Sequence, residues 1–236
     1  FEYYQDFNLG FSSRSFYEKI ETDSTASARQ QAQEGNYWDT FFSTKFDYDK
    51  RNQKFKTDEG FRSTYNLDIP VISDTYTLTN TYSFKKYSSL YNNNISTFGI
   101  YLESANSIKG EDIKLTERLF IPSQLLRGFE RGKVGPKDGN DFIGGNYVAT
   151  INASTNLPVL FQNFQNLDAV LFLDIANIWG VDYDDTIDDS DEIRSSIGIG
   201  IDWFTILGPM NFSFTEAISK KHGDITESFR FNIGTT

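Results

Sequence analysis

The sequence predicts an all-β chain, an antiparallel transmembrane β-barrel, and three observations carry that expectation. Apolar and polar residues alternate with a period of two along successive segments, the mark of strands with one apolar face. Aromatics are abundant, 22 Phe, 13 Tyr and 3 Trp in 236 residues, yet only 38% of the chain is hydrophobic. The polar faces consist mainly of Thr, Ser, Asn and Gly, where a sandwich facing open water would carry Lys and Glu. A disordered acidic chain would be poor in aromatics. No apolar run approaches the roughly 20 residues of a transmembrane helix, whereas barrel strands show only alternation.

Taken in order, the first strand is expected within Phe1 to Phe11, followed by a long polar connection from Ser12 to Gly35. From Tyr37 to Tyr48, Trp38, Phe42, Phe46 and Tyr48 share one parity with Thr40 and Thr44, and Asp39, Ser43, Lys45 and Asp47 lie on the other. Phe61, Tyr65, Leu67, Ile69 and Val71 oppose Arg62, Thr64, Asn66 and Asp68. Thr75, Thr77, Thr79, Thr81 and Ser83 form a hydroxyl face behind Tyr76, Leu78, Tyr82 and Phe84. Later strands present Phe98, Ile100 and Leu102; then Tyr147, Ala149, Ile151 and Ala153; then Leu167, Ala169, Leu171, Leu173 and Ile175 against Asp168, Phe172 and Asp174. Ile197, Ile199, Ile201 and Trp203 oppose Gly198, Gly200 and Asp202. The last two strands set Met210, Phe212 and Phe214, and Phe229, Phe231 and Ile233, against polar partners. That makes about ten strands. Short joins (Lys85 to Asn94, Pro158 to Asn166, Phe204 to Pro209) alternate with long ones (Ser12 to Gly35, Ser104 to Gly145, Gly180 to Ile193), as periplasmic turns alternate with outer loops.

Composition excludes several chemistries. The chain has no Cys and one His, His222, so disulfides, thiolate zinc sites, iron-sulfur clusters and cysteine nucleophiles are ruled out. His222 stands beside a turn-forming Gly-Asp and reads as a loop residue rather than a base. The formal charge of -11 argues against nucleic acid as a partner. The acidic run Asp182, Asp184, Asp185, Asp188, Asp189, Asp191 and Glu192 lacks the ligand spacing and central Gly of an EF-hand and reads as a solvated outer loop, weakly bridged by divalent cations to lipopolysaccharide. No metal, cofactor or catalytic residue is expected.

The longest connection is unusual. It carries Leu126-Arg127-Gly128-Phe129, then Gly135-Pro136-Lys137-Asp138-Gly139 and Gly144-Gly145-Asn146, a density of turn residues that specifies fixed geometry. With the Phe172-Leu173-Asp174 strand motif and the terminal Phe229-Arg230-Phe231-Asn232-Ile233-Gly234, these segments resemble the BamA family of outer-membrane protein assembly factors, over at least the last 120 residues. The resemblance implies a sixteen-stranded barrel in the outer membrane, of which residues 1–236 would be roughly the last ten strands, with the earlier strands and the periplasmic repeats absent. It also implies that the loop folds inward, so that Arg127 meets Asp174. The parity of its strand independently turns Asp174 inward, where a charge needs a partner. By the same resemblance the last strand, with Phe229, Phe231, Asn232 and Gly234, borders a lateral seam that templates incoming strands; Gly234 would permit a kink there. Implied partners are unfolded outer-membrane protein clients, accessory periplasmic lipoproteins, and outer-membrane lipid and lipopolysaccharide. The alternative is a protein-translocating pore of the two-partner secretion or autotransporter-assembly type, which shares the inward Arg-Gly loop; a passive diffusion porin fits the structured loop less well.

Overall fold

The computed structural model describes residues 2–54, 57–89, 94–157, 166–182, 187, 192–205 and 208–233. The elements are β1 (Glu2–Tyr4), β2 (Phe7–Ile20), a four-residue helix α1 (Ala28–Gln31), β3 (Gly35–Asp49), β4 (Gly60–Ser73), β5 (Thr77–Ser89) and β6 (Ile95–Ser107). After them come a small hairpin, β7 (Lys137–Asp138) and β8 (Asp141–Phe142), then β9 (Tyr147–Asn156), β10 (Leu167–Trp179), β11 (Arg194–Thr205), β12 (Gly208–Ser219) and β13 (Phe229–Ile233). Eleven strands form one antiparallel sheet in chain order, from β1 to β6 and on through β9 to β13. Every neighbouring pair is antiparallel, as short up-and-down connections require. The two ends of the sheet, β1 and β13, pair on one side only among the described residues.

The register shows which face meets lipid. Leu173 lies opposite Ala153 and Ile197, and Phe214 lies opposite Ile199 and Phe229. This outward set includes Trp38, Phe42, Phe98, Leu102, Ile151, Ile199, Trp203 and Phe231, all exposed large apolar side chains. On a water-soluble domain such a surface would drive aggregation; on a barrel it is the apolar band. Adjacent outward rings pack across strands, with Phe212 and Phe231 centroids 4.8 Å apart and Phe214 and Phe229 5.1 Å apart.

Several strand limits differ from the sequence expectation. β2 does not stop at Phe11: it pairs with β3 from Phe7 opposite Tyr48 to Ile20 opposite Gly35. Ser12, Ser13 and Ser15 read as loop composition, but the ladder holds them, and Ser15 Oγ meets Thr40 Oγ1 across the pair at 2.9 Å. The connection that remains contains α1, opened by a capping box in which Ser27 Oγ accepts from Gln30 N and the Gln30 side chain accepts from Ser27 N. Lys85 to Ser89 belong to β5, and Ser104 to Ser107 to β6, so those joins are shorter than expected. Tyr76 sits in the turn before β5, where Lys109 Nζ lies 3.4 Å from its ring centroid. That turn, residues 74–76, is a short join on the long-loop side and breaks the alternation of lengths. The register shift opposite Thr40 and Phe41 leaves both Val71 and Ile72 outward.

The inward face is not uniformly wet. Ala105, Ile113, Leu119, Ile121, Leu126, Phe129, Val134, Val148, Ala176 and Ile178 form one buried apolar cluster. Its members come from β6, β9, β10 and the connection between β6 and β9, so the core lies inside the sheet and the loop fills it. Val148, Phe172 and Ile178 stand on the inward parity as apolar exceptions because the loop covers them. Below the loop, toward the short turns, a cavity of about 550 Å³ is lined by polar groups including Lys85, Asn152, Asp168, Asp202 and Asn232.

The two faces of β11 should therefore respond differently. Ile199→Arg places a charge on the lipid face and should cost about 2–4 kcal/mol near the bilayer midplane. Gly200→Ala, whose added Cβ would meet no atom nearer than 3.8 Å, should stay within about 0.5 kcal/mol of the parent. Urea unfolding in lipid vesicles measures both.

Candidate functional site: the lumenal loop and its anchors

Gly128 lets the loop approach the wall. It has φ 87°, and a Cβ there would sit 2.5 Å from Thr215 Cγ2, so only glycine fits. The preceding Arg127 is thereby aimed at β10. Its Nε lies 2.7 Å from Asp174 Oδ2 and its Nη2 2.8 Å from Oδ1, a bidentate pair, and its backbone N–H donates to Oδ2 at 3.1 Å. Asn152 of β9 donates through Nδ2 to Asp174 Oδ1 and to the Leu125 carbonyl, both at 2.8 Å. Asp174 has no exposed surface. The guanidinium carbon also lies 3.3 Å from the ring centroid of Phe172, a cation-π contact. Phe172 lies opposite Gly198 on β11, where a Cβ would stand 2.6 Å from the ring, so that glycine makes room for the platform under Arg127. Ser196 Oγ donates to the Arg127 carbonyl at 2.5 Å. Arg127 and Asp174, paired in the sequence reading, are thus in direct contact, with Phe172 beneath them.

A second anchor at the start of the loop is absent from the sequence reading. Lys114 is buried, with its Nζ 2.5 Å from Asp39 of β3 and 3.4 Å from Glu117, and it also pairs with Glu18 of β2. Glu117 accepts from Thr77 Oγ1 at 2.5 Å, and Ser73 donates to Asp39. Burial alone would push the Lys114 ammonium down, but hydrogen bonds to Asp39 and Glu18 and the charges of Glu117 and Asp39 outweigh it and hold its pKa above the ordinary value. Burial likewise raises the Glu117 carboxyl, against the opposing pull of Thr77 and Lys114. Glu18, Asp39 and Lys114 are far apart in sequence, and only the inward parity of Glu18 and Asp39 hints at a missing cation.

The turns expected in the loop take distinct places. Gly135, Gly139 and Gly144 have φ of 108°, 62° and 75°. A Cβ at Gly135 would lie 2.7 Å from Ile178, and one at Gly145 2.7 Å from the Trp179 carbonyl. Pro136 is buried, and Lys137 and Asp138 begin the hairpin that reaches α1, where Asp138 accepts from Ser27 Oγ and lies 3.8 Å from Arg29. Leu126 and Phe129 enter the buried cluster. Phe229 and Phe231 face outward and Asn232 lines the cavity; Gly234 lies outside the described residues. Asp184, Asp185, Asp188, Asp189 and Asp191 do as well. Asp182 is not simply solvated: it pairs with Arg118 and accepts from Ile113 N at 2.6 Å, so the acidic stretch begins as a third anchor. Glu192 offers its carbonyl to Arg194 at 2.6 Å. His222 is exposed in the connection between β12 and β13.

The three anchors hold the loop, two to wall strands and one to the connection after β10, and their chemistry is that of positioning. Breaking one partner of the Arg127–Asp174 pair leaves a buried charge, so Arg127→Met or Asp174→Leu should each cost about 3–5 kcal/mol. The double variant should cost clearly less than the sum of the two, a coupling that a double-mutant cycle of unfolding free energies reads directly.

Residues 1–236 match the family model described as the Omp85 superfamily domain. The chain is 28% identical over 127 residues to the outer membrane protein assembly factor BamA of Neorickettsia risticii, covering 52% of this chain and 17% of that protein. It is 29% identical over 138 residues to BamA of Neisseria meningitidis serogroup B, covering 47% and 17%. Identity to BamA of Nitratidesulfovibrio vulgaris is 24% over 229 residues, covering 92% and 28%. Among solved structures, the crystal structure of BamA from Haemophilus ducreyi lacking POTRA domains 1-3 matches with a TM-score of 0.85 at 20% identity, over 98% of this chain and 51% of that one. At that identity the likeness is one of fold. The chain spans less than a third of the length of these curated relatives. On the match across its whole length, the chain belongs to the Omp85 superfamily, and it is a multi-pass β-barrel of the outer membrane.

Proposed function

We propose that the protein carrying this chain inserts and folds other β-barrels into the outer membrane, without chemical turnover or a cofactor, and that residues 1–236 are the C-terminal part of its barrel domain. The observation that carries the reading is the loop held in the lumen by Arg127 and Asp174. A barrel filled this way offers little open channel for passive diffusion, and its useful surface becomes a strand edge. Among the described residues β13 pairs on one side only, and a strand edge of that kind, with its N–H and C=O groups open, would be a template for an incoming strand. Main-chain pairing would supply affinity for many unrelated clients, because it does not depend on side-chain sequence. Partners would be unfolded outer-membrane proteins, accessory periplasmic lipoproteins, and the lipid and lipopolysaccharide beside the seam.

A translocating pore with the same inward loop is the competing reading. The names of the relatives favour assembly, since each is an assembly factor. Depletion separates the two: assembly predicts that many unrelated barrels disappear together from the outer membrane, measured by quantitative proteomics. Loss of a single secreted client with other barrels unchanged would exclude assembly.

A further inference from the structure

We infer that Arg230 latches the terminal strand to the lumenal loop, so that the loop acts as a splint for β13. Among the described residues, β13 pairs with β12 from Met210 opposite Ile233 to Phe214 opposite Phe229. Just before it, the chain changes partner. Thr215 N still donates to the Ser228 carbonyl at 2.9 Å, but Glu227 N donates to the Gly128 carbonyl at 3.0 Å, and Phe129 forms a bridge with Thr226. Glu130 N then donates to the Ile225 carbonyl at 2.9 Å, and Ile225 N to the Lys133 carbonyl at 3.1 Å. The segment leading into the last strand is therefore an antiparallel partner of the loop itself.

The side chain of Arg230 closes this arrangement. It lies opposite Ser213 on the inward face, is largely buried, and is held by Glu227. Its Nη1 donates to the Ser123 carbonyl at 2.5 Å and its Nη2 to the Phe129 carbonyl at 2.6 Å. Ser123 and Phe129 flank Arg127, so one loop segment is gripped from β10 by Asp174 and from β13 by Arg230. Two carbonyls at fixed spacing match the planar fork of a guanidinium, which a lysine ammonium cannot reproduce. Phe129 is buried, and its carbonyl has little access to water if Arg230 withdraws. Moving the loop therefore frees the strand, and moving the strand strips the loop of two hydrogen bonds. Arg230 is a positioning residue; its bearing on assembly rests on the function proposed above.

Hydrogen exchange by mass spectrometry on the full-length protein in lipid vesicles tests the latch. In Arg230→Gln, peptides covering residues 225–233 should exchange at least tenfold faster while those from β9 to β11 keep the parent rate. Arg230→Lys should fall between the two. Because this chain has no Cys, Glu130→Cys with Ile225→Cys adds a single thiol pair to it, and its oxidation in the Arg230→Gln background should restore slow exchange. Unchanged exchange at 225–233 overturns the latch, and so does equal acceleration throughout β9 to β11. Should Arg230→Gln not fold, Arg230→Lys carries the same two outcomes. Insertion of a small urea-denatured outer-membrane barrel into the same vesicles separates the two ideas. Fast exchange at 225–233 with insertion unchanged overturns the link to assembly while the latch stands.

Discussion

A carboxylate with no exposed surface sits in the middle of a wall strand, and the arrangement around it follows from the cost of leaving it unpaired. Asp174 cannot turn to lipid, because the parity of β10 that puts Leu171 and Leu173 outside puts Asp174 inside. Nor can it remain alone in a packed lumen, since a buried ion without a partner costs several kcal/mol. Arg127 answers with a bidentate pair, and its own backbone N–H and Asn152 complete the carboxylate's hydrogen bonds. Specificity comes from geometry: Phe172 beneath the guanidinium, Gly198 making space for the ring and Gly128 allowing close approach leave one orientation for the motif.

Once that point is fixed, the loop supplies what a sheet with an apolar outer face lacks, an interior. Strands that give their large apolar side chains to lipid have little left for a core. The loop brings Ile113, Leu119, Ile121, Leu126, Phe129 and Val134 inward to meet Val148, Ala176 and Ile178. Lys114 at one end, with Asp39 and Glu18, and Arg118 with Asp182 keep the loop stationary where it enters. The sheet curls around this body, because β3, β5, β10, β11 and β13 all send inward side chains to it: Asp39, Thr77, Asp174, Ser196 and Arg230.

Alternation was readable because the membrane imposes it on each strand separately. Ile197, Ile199 and Ile201 against Gly198 and Gly200 need no knowledge of neighbours. Asp174 was readable for the same reason, as an acid on the inward parity, and the Arg-Gly-Phe resemblance pointed to its partner. The limits of β2 were hidden by Ser12, Ser13 and Ser15, whose composition suits a loop although they pair opposite Ser43, Phe42 and Thr40 of β3. α1 left a signal that could have been used, Ser27 three residues before Gln30. The Lys114 cluster and the Arg230 contacts left almost none. Each depends on carbonyls or acids brought together by sheet curvature and loop path, which no local pattern encodes. The apolar residues Val148, Phe172 and Ile178 on an otherwise polar parity are the trace such contacts leave in sequence.

The claim beneath all of this is that the loop is a fixed part of the barrel interior and not a mobile outer segment. Solid-state NMR of the protein in lipid bilayers, with ¹⁵N-labelled arginine and ¹³C-labelled aspartate, addresses it directly. The account predicts a strong dipolar coupling between the Arg127 guanidinium nitrogens and the Asp174 carboxyl carbon, as expected for two groups joined by hydrogen bonds. A coupling averaged to nothing, with Arg127 giving the narrow signal of a side chain moving freely in water, would contradict it.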